Sequence, residues 1–306
     1  MRSGRRAPLS DSPGSMANPW VLAARPKTLP AAAAPVLVGA ALAAFRDQFA
    51  LMPVVAALVG ALLIQIATNL ANDYFDFVKG ADTEDRVGPT RVTQAGLLSP
   101  EAVRNAMIAT LLAALAVGAY LVAVGGWPIV WIGVASLVCA VAYTGGPLPL
   151  AYHGLGDVFV FVFFGLIAVA GTVYVQVGSF PPEAWLAGAG IGAMSTAILV
   201  VNNLRDLDTD RRAGKRTMAV RLGRLGTQME YVWLWSVAGL VPAVGISAYG
   251  WPVWTVASWL GFAVAVPAMR RVWTHTAPQE LLPALAQTAA GLLVYAVGLS
   301  GGLLLG

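Results

Sequence analysis

Carboxylate and amide side chains gather in two clusters of the sequence, each at the end of a long apolar stretch. The first cluster comprises Gln65, Asn69, Asn72, Asp73 and Asp76. The second comprises Asn202, Asn203, Arg205, Asp206, Asp208 and Asp210. Helix positions separated by three, four or seven residues share one face, so the acids and amides of the first cluster would lie side by side. Carboxylates placed in this way repel one another, which indicates that a bound cation separates them.

The types of ligand in these clusters favour Mg²⁺ over a transition metal. The chain has one cysteine and two histidines, Cys139, His153 and His275, and they lie apart from both clusters, which argues against a zinc site. Proteins typically hold Mg²⁺ through one or two carboxylates together with phosphate oxygens of a substrate. Basic residues follow each cluster and suit the remaining charge of a diphosphate. No Gly-x-x-x-x-Gly-Lys-Ser/Thr loop is present, which argues against a nucleotide hydrolase.

The composition indicates that the apolar stretches lie in a lipid bilayer. Of the 306 residues, 58% are hydrophobic and 11% are charged, whereas about 25% are charged in a typical soluble chain. A soluble protein of this size needs more charge to cover its surface. The composition excludes a disordered chain, a nucleic-acid-binding protein of the ordinary type and a disulfide scaffold. It leaves an all-α, polytopic membrane protein.

The uncharged stretches, divided at Gly- and Pro-rich breaks, predict nine transmembrane helices, since one span needs about 20 mostly apolar residues. The predicted helices lie near 26–45, 50–76, 102–124, 127–144, 155–178, 183–204, 229–249, 252–271 and 280–305. Residues 19–306 would form a single domain. Residues 1–18 are rich in Arg, Ser, Pro and Gly and lack the apolar segment of a signal peptide, so they are predicted to be a disordered basic tail, with Met16 as an alternative start.

The distribution of basic residues predicts the orientation. If nine helices cross the membrane, 18 of the 19 lysine and arginine residues lie in the N-terminal segment or in loops on the same side of the membrane as that segment. Only Arg46 lies on the opposite side. Short loops rich in lysine and arginine face the cytoplasm. We therefore predict a multi-pass protein of the inner, cytoplasmic membrane, with the N-terminus and both polar clusters in the cytoplasm.

The motifs of the two clusters resemble those of a known family. The first reads Asn-Leu-Ala-Asn-Asp-Tyr-Phe-Asp over 69–76, and the second reads Asn-Leu-Arg-Asp-Leu-Asp-Thr-Asp over 203–210. Together with nine predicted helices, they resemble the UbiA superfamily of membrane prenyltransferases. Further stretches resemble its menaquinone-pathway branch, which prenylates 1,4-dihydroxy-2-naphthoate, and they lie at 24–30, 80–89, 91–96, 143–147 and 214–217. The hydroxybenzoate branch differs, because it has an acid where Gly80 stands and a basic residue soon after Tyr143.

The resemblance implies transfer of a polyprenyl group from a polyprenyl diphosphate to an aromatic acid acceptor, with release of diphosphate and CO₂. It implies a Mg²⁺ site formed by Asp73, Asp76, Asp206 and Asp210. The supporting amides would be Asn69, Asn72 and Asn202. The candidate diphosphate donors are Arg91, Arg205, Lys215 and Arg216. Whether Asp82, which stands near the position of the missing acid, joins the metal site is left open.

The resemblance also implies groups for the other parts of the reaction. Breaking the allylic C–O bond produces a cation, which needs a dry site lined by aromatic rings. Tyr143, with Tyr74 and Phe164, is the candidate lining. Arg25 or Lys27, at the start of the first predicted helix, is the candidate partner of the acceptor carboxylate. The prenyl tail would lie along the apolar helices and leave sideways into the lipid.

The sequence leaves two alternatives open. One is a prenyltransferase of the same superfamily with another reaction, such as phytyl transfer to the naphthoate or transfer to 4-hydroxybenzoate or homogentisate. The other is an ion-coupled transporter, which would carry its ionisable residues near the middle of the membrane. No Asp, Glu, Lys or Arg lies at the centre of a predicted span, and this disfavours transport.

Overall fold

The computed structural model describes residues 18–80, 88 and 91–306, and within these ranges the chain forms helices and no strand. Eleven helices, numbered in chain order, are α1 Pro19–Ala24, α2 Leu29–Phe45, α3 Leu51–Val78, α4 Pro100–Gly125, α5 Trp127–Ala142, α6 Gly156–Val177, α7 Pro182–Arg205, α8 Leu207–Arg212, α9 Met218–Tyr249, α10 Leu260–Thr274 and α11 Leu281–Leu304. The central seven residues of α6, Phe161–Ile167, are π-helical. The predicted all-α class is confirmed. The proposed tail, apart from its last residue, lies outside the described residues.

Eight helical segments of the described chain are long and apolar enough to cross a membrane. Each corresponds to one of the predicted spans. The remaining predicted span is α5, an apolar helix of 16 residues, which is about 24 Å long at 1.5 Å per residue. This length falls short of the ~30 Å hydrocarbon core of a bilayer. The membrane-spanning architecture is therefore established, and the count of nine stays a prediction.

Two helices begin at other places than the sequence predicted. Helix α9 begins at Met218, after the Thr217 side chain caps the Val220 amide, and not near 229. Basic residues follow this start, and their charge predicts a loop outside the membrane, because charge is costly in lipid. The helix nevertheless begins outside the predicted span and breaks at Gly223, whose φ of 69° is readily adopted by glycine. Likewise the first predicted helix, placed near 26–45, begins at Leu29. A separate short helix, α1, precedes it and ends at Ala24, before Arg25 in a left-handed conformation.

Helix α7, which carries the second polar cluster, lies at the centre of the bundle. It packs against α6, α9 and α11, and most of its residues are buried. Small residues allow its close contact with α6: a Cβ atom on Gly165 would lie 2.4 Å from the Gly188 carbonyl oxygen and from the Gly192 Cα. Glycine is common at such contacts because it lets membrane helices approach closely. This packing positions α7, which carries the second polar cluster at its end, beside α6.

Helices α3, α4 and α5 form the more exposed side of the bundle. Trp127, Trp131 and Leu112 are at least 61% exposed, as expected of side chains that face lipid tails. The inner faces of these helices enclose a cavity together with α2, α6 and α7. Because α3 and α7 end at the same side of the bundle, the two polar clusters meet at the mouth of this cavity.

Candidate active site

The cavity has a volume of about 1470 Å³ and is polar at one end and apolar elsewhere. Its polar wall includes Arg25, Lys27, Asn69, Asn72, Asp76, Lys79, Arg91, Asn202, Asn203, Asp206, Asp210 and Lys215. Along α3 the lining extends from Asp76 to Ala57, a distance of ~28 Å at 1.5 Å per residue. A cavity of this shape accommodates a molecule with a charged end and a long apolar tail.

Asp76 lies at the centre of the polar end and is 2% exposed. Its Oδ2 accepts a hydrogen bond from Arg91 Nη2 at 2.8 Å, and its Oδ1 accepts one from the Tyr152 hydroxyl at 2.6 Å. The Lys215 ammonium lies 3.5 Å from the same Oδ1. A buried carboxylate requires partners of this kind, because burial of an unpaired charge is costly. The predicted residues Asp76, Arg91 and Lys215 are therefore brought together.

Tyr152 and Lys79 belong to this group of residues, although we assigned neither a role from the sequence. The Lys79 ammonium donates to the Thr144 carbonyl oxygen at 2.6 Å and lies 5.1 Å from the centre of the Tyr152 ring. The Lys215 ammonium lies 4.7 Å from the same centre. Burial lowers the pKa of Lys79, and the charge of Lys215 lowers it further, while Asp76 acts in the opposite direction. Both ammonium groups thus lie beside the Tyr152 ring at the mouth of the cavity.

Asp73 has a different environment from Asp76. Its two carboxylate oxygens accept hydrogen bonds from the backbone amides of Val92 and Thr93, at 3.1 and 3.0 Å. The side chain is buried behind the cavity wall and does not line the cavity. It anchors the segment that carries Arg91, and Arg25 Nη2 lies 4.0 Å from it. Its metal-binding role stays a prediction.

The second cluster is organised around Arg205. The guanidinium forms a bidentate pair with Asp206, Nε to Oδ1 at 2.7 Å and Nη2 to Oδ2 at 2.6 Å, and also donates to Asn202 Oδ1 at 2.9 Å. The Arg205 side chain is fully buried. Asp210 lies one turn further along α8 and lines the cavity. Asp208, in contrast, is 80% exposed at its side chain and pairs with Arg211 on the outer surface.

The amides of the first cluster connect α3 to neighbouring segments. Asn69 Nδ2 donates to the Ala24 carbonyl oxygen and to Thr28 Oγ1, both at 2.9 Å. These bonds hold the turn that carries Arg25 and Lys27 at the mouth of the cavity. Asn72 Oδ1 accepts from Thr144 Oγ1 at 2.8 Å, which connects α3 to the segment after α5.

Other predicted residues are divided between the cavity and the rest of the protein. Tyr143 and Phe164 line the cavity. Tyr74 does not line it, and its ring packs edge-on against Phe75, with 5.1 Å between the ring centroids. Arg216 is exposed and does not line the cavity, whereas its neighbour Lys215 does. The two adjacent side chains point in different directions. Asp82 lies outside the described residues.

The donor set of the cavity fits Mg²⁺ held together with a diphosphate. Asp76, Asp206 and Asp210 offer carboxylate oxygens at the polar end of the cavity. Within the described ranges, no three His, Cys, Asp or Glu side chains form a group that could hold a metal alone. Mg²⁺ is usually bound through one or two carboxylates plus substrate phosphates, so such a group is not required. The flanking lysines and arginines suit the remaining phosphate oxygens.

A helical membrane protein with a long apolar cavity and an acidic and basic mouth has the architecture of an enzyme that acts on amphiphilic, anionic substrates. The chain belongs to the UbiA prenyltransferase family, whose model matches residues 32–299. The family resemblance seen in the two motifs is thereby confirmed.

Curated relatives cover nearly the whole chain. The 1,4-dihydroxy-2-naphthoate octaprenyltransferase of Haemophilus influenzae is 36% identical over 94% of this chain and 96% of its own length. The protein of the same name from Mycobacterium tuberculosis is 38% identical over 94% of this chain and 97% of its own. The resemblance to the naphthoate branch is therefore confirmed as well.

Solved structures with the same fold are more distant in sequence. The apo structure of a UbiA homolog from Aeropyrum pernix matches with a TM-score of 0.66 at 18% identity and covers 91% of this chain and 96% of that chain. A UbiA homolog from Archaeoglobus fulgidus, bound to DMAPP and Mg²⁺, matches with a TM-score of 0.60 at 14% identity over 92% and 99% of the two chains. These matches support the fold.

Proposed function

We propose that this protein transfers a polyprenyl group from an allylic polyprenyl diphosphate to 1,4-dihydroxy-2-naphthoate, with release of diphosphate and CO₂, in menaquinone biosynthesis. The observation that carries the proposal is the near-full-length identity of 36–38% to two naphthoate octaprenyltransferases. The cavity supports it independently, because its charged mouth and long apolar interior match the two ends of a polyprenyl diphosphate.

We further propose that Asp76, Asp206 and Asp210 hold Mg²⁺, with Asp73 as the additional predicted ligand. When bound, the metal neutralises the charge that develops on the diphosphate as the C–O bond breaks. Arg91 and Lys215, which pair with Asp76, are the donors we assign to the phosphate oxygens. Arg205 holds Asp206 in place through its bidentate pair.

The apolar part of the cavity binds the prenyl tail and excludes water from the allylic cation, which water would convert to an alcohol. Tyr143 and Phe164 line the cavity, and aromatic rings attract a cation through their faces. Arg25 and Lys27, at the cavity mouth, are the candidate partners of the acceptor carboxylate. The ring carbon that bears the carboxylate would attack the cation and form the new C–C bond, which interrupts the aromatic system. Cleavage of the bond to the carboxylate, with loss of CO₂, would then return an electron pair to the ring and restore aromaticity.

The direct test is prenyl transfer by the purified protein in lipid nanodiscs, with a labelled polyprenyl diphosphate and a panel of aromatic acids. We expect prenylation of 1,4-dihydroxy-2-naphthoate that requires Mg²⁺ and stops in excess chelator. Faster prenylation of 4-hydroxybenzoate or homogentisate would contradict the acceptor, and full activity in chelator would contradict the metal. Transport of ions without any prenylated product would contradict the class of activity.

We also propose that the site faces the cytoplasm. In a Cys139→Ala background, Gln48→Cys and Asp208→Cys place single thiols at exposed positions on opposite sides of the bundle. A membrane-impermeant thiol reagent applied to intact cells should label the cysteine at position 48 and reach the one at position 208 only after lysis, as the distribution of basic residues predicts. Labelling in the reverse order would contradict the orientation.

A further inference from the structure

Tyr152 contacts both the acidic and the basic residues of the site, and the proposed reaction gives it no role. It lies on a single 3₁₀ turn, Leu150–His153, in the connection between α5 and α6. Its hydroxyl donates to Asp76 Oδ1 at 2.6 Å. Its ring centre lies 5.1 Å from the Lys79 ammonium and 4.7 Å from the Lys215 ammonium.

The backbone around Tyr152 is held from two directions. The Ala151 amide donates to the Tyr143 carbonyl oxygen at 3.0 Å, which ties the turn to the end of α5. The Tyr152 carbonyl oxygen accepts from the Arg216 amide at 2.9 Å, which ties it to the segment that follows α8. The ring is therefore fixed where the connections after α3, α5 and α8 meet.

The grouping of two ammonium groups around one ring needs a physical reason. A ring face attracts a cation through its quadrupole, but Lys79 and Lys215 also repel each other. Two ammonium groups that lie within about 5 Å of one ring centre at the mouth of the cavity suit an anion with several charges. Asp76, which accepts the Tyr152 hydrogen bond, is the proposed metal ligand beside that anion.

We propose that Tyr152 is a positioning residue of the diphosphate site with two separable actions. Its ring holds the ammonium groups of Lys79 and Lys215 where they contact the diphosphate, and its hydroxyl orients Asp76 toward the metal. The inference rests on the proposed function, since it assumes that a Mg²⁺-diphosphate binds at the cavity mouth. It adds Lys79 and Tyr152 to the residues that recognise the diphosphate.

Two substitutions separate the two actions. Tyr152→Phe keeps the ring and removes the hydrogen bond to Asp76. Loss of a group that orients a metal ligand typically weakens metal binding by about 10- to 100-fold, so this variant should need roughly 10-fold more Mg²⁺. Tyr152→Leu also removes the ring, and loss of two cation–π contacts should weaken diphosphate binding by a further ~10-fold.

The experiment is calorimetric titration of the purified full-length protein with geranyl S-thiolodiphosphate, whose thio bridge resists cleavage, at a series of Mg²⁺ concentrations. For Tyr152→Phe we expect a shifted Mg²⁺ midpoint and wild-type affinity at saturating Mg²⁺. For Tyr152→Leu we expect the same shift and weaker affinity at saturating Mg²⁺. Tyr174→Phe is the matched control, because its hydroxyl bonds to the Gly125 carbonyl oxygen away from the site, and it should bind as the wild type does.

The outcomes distinguish this inference from the proposed function. A Tyr152→Phe protein with the wild-type Mg²⁺ midpoint would overturn the role of the hydroxyl, and this variant is the smaller perturbation if Tyr152→Leu fails to fold. Equal affinity of the Phe and Leu variants at saturating Mg²⁺ would overturn the role of the ring. If the wild type itself showed no Mg²⁺-dependent binding, the proposed function would fail and this inference with it.

Discussion

Asp76→Asn is expected to lower kcat by about 10²–10³-fold, the usual cost of removing one preorganised group where charge develops, with little change in the KM for the acceptor. The substitution keeps the size of the side chain and removes its charge. Because that charge is proposed to hold the metal that stabilises the departing diphosphate, the loss should fall on the transition state. Steady-state kinetics in nanodiscs, with each substrate varied in turn, measures both parameters.

Asp208→Asn is the matched control for this prediction. It makes the same chemical change two residues beyond Asp206, at a carboxylate that is 80% exposed and pairs with Arg211 outside the cavity. We expect kcat within about twofold of the wild type, since exposed ion pairs contribute little. Equal losses in the two variants, or an Asp76→Asn protein with wild-type kcat, would contradict the assignment of Asp76.

Arg205→Ala is expected to lower the free energy of unfolding by about 3–5 kcal/mol, as removal of one partner of a buried ion pair typically does. The substitution leaves Asp206, which is 9% exposed, without its bidentate partner. Arg205→Lys retains a charge but lacks the planar fork that pairs with both carboxylate oxygens, so we expect an intermediate loss. Unfolding in mixed micelles with increasing denaturing detergent, followed by circular dichroism, provides the comparison.

The exposed pair on α8 again supplies the control. Arg211 pairs with Asp208 at 3.6 Å, and both side chains are more than half exposed. Arg211→Ala should change the free energy of unfolding by less than about 1 kcal/mol. If Arg205→Ala proved as mild as Arg211→Ala, the bidentate pair would not hold the end of α7 in the way we describe.

The spacing within the first cluster was sufficient to predict a shared helical face, and Asn69, Asp73 and Asp76 are indeed buried together on α3. The spacing was insufficient to separate their roles. Asp73 is bound by backbone amides of residues 92 and 93, whereas Asp76 faces the cavity. Helical periodicity gives the direction of a side chain but not the segment that packs against it, so this difference arises only from the tertiary structure.

Tyr152 was missed for a related reason. Its hydrogen bond to Asp76 joins residues 76 positions apart, and it lies in a connection, where neither helical period nor charge pattern selects one residue. The sequence signal that pointed to the region was its Gly- and Pro-rich composition after Tyr143, which indicates turns and not ligands.

The pattern of basic residues likewise predicts one role for Lys215 and Arg216, because both follow the second cluster, yet adjacent residues on a turn point in different directions.

The helix boundaries also depend on tertiary and local contacts that the sequence pattern does not reveal. Uncharged stretches located the eight segments that are long enough to cross a membrane and the shorter helix α5, because the cost of placing charge in lipid is large and acts on every residue of a span. They did not locate the short helices α1 and α8. They misplaced the start of α9, where a threonine cap and not hydrophobicity begins the helix. A helix end outside the membrane depends on local hydrogen bonds, to which a search for apolar stretches is insensitive.

The most direct test of the central claim is the fate of the carboxyl carbon of the acceptor. The purified protein in nanodiscs would be given a polyprenyl diphosphate, Mg²⁺ and 1,4-dihydroxy-2-naphthoate labelled in its carboxyl group. We predict that the label is released as CO₂ in step with formation of the prenylated product and with release of diphosphate. A prenylated product that retains the label, or a naphthoate that is not prenylated at all, would contradict the account.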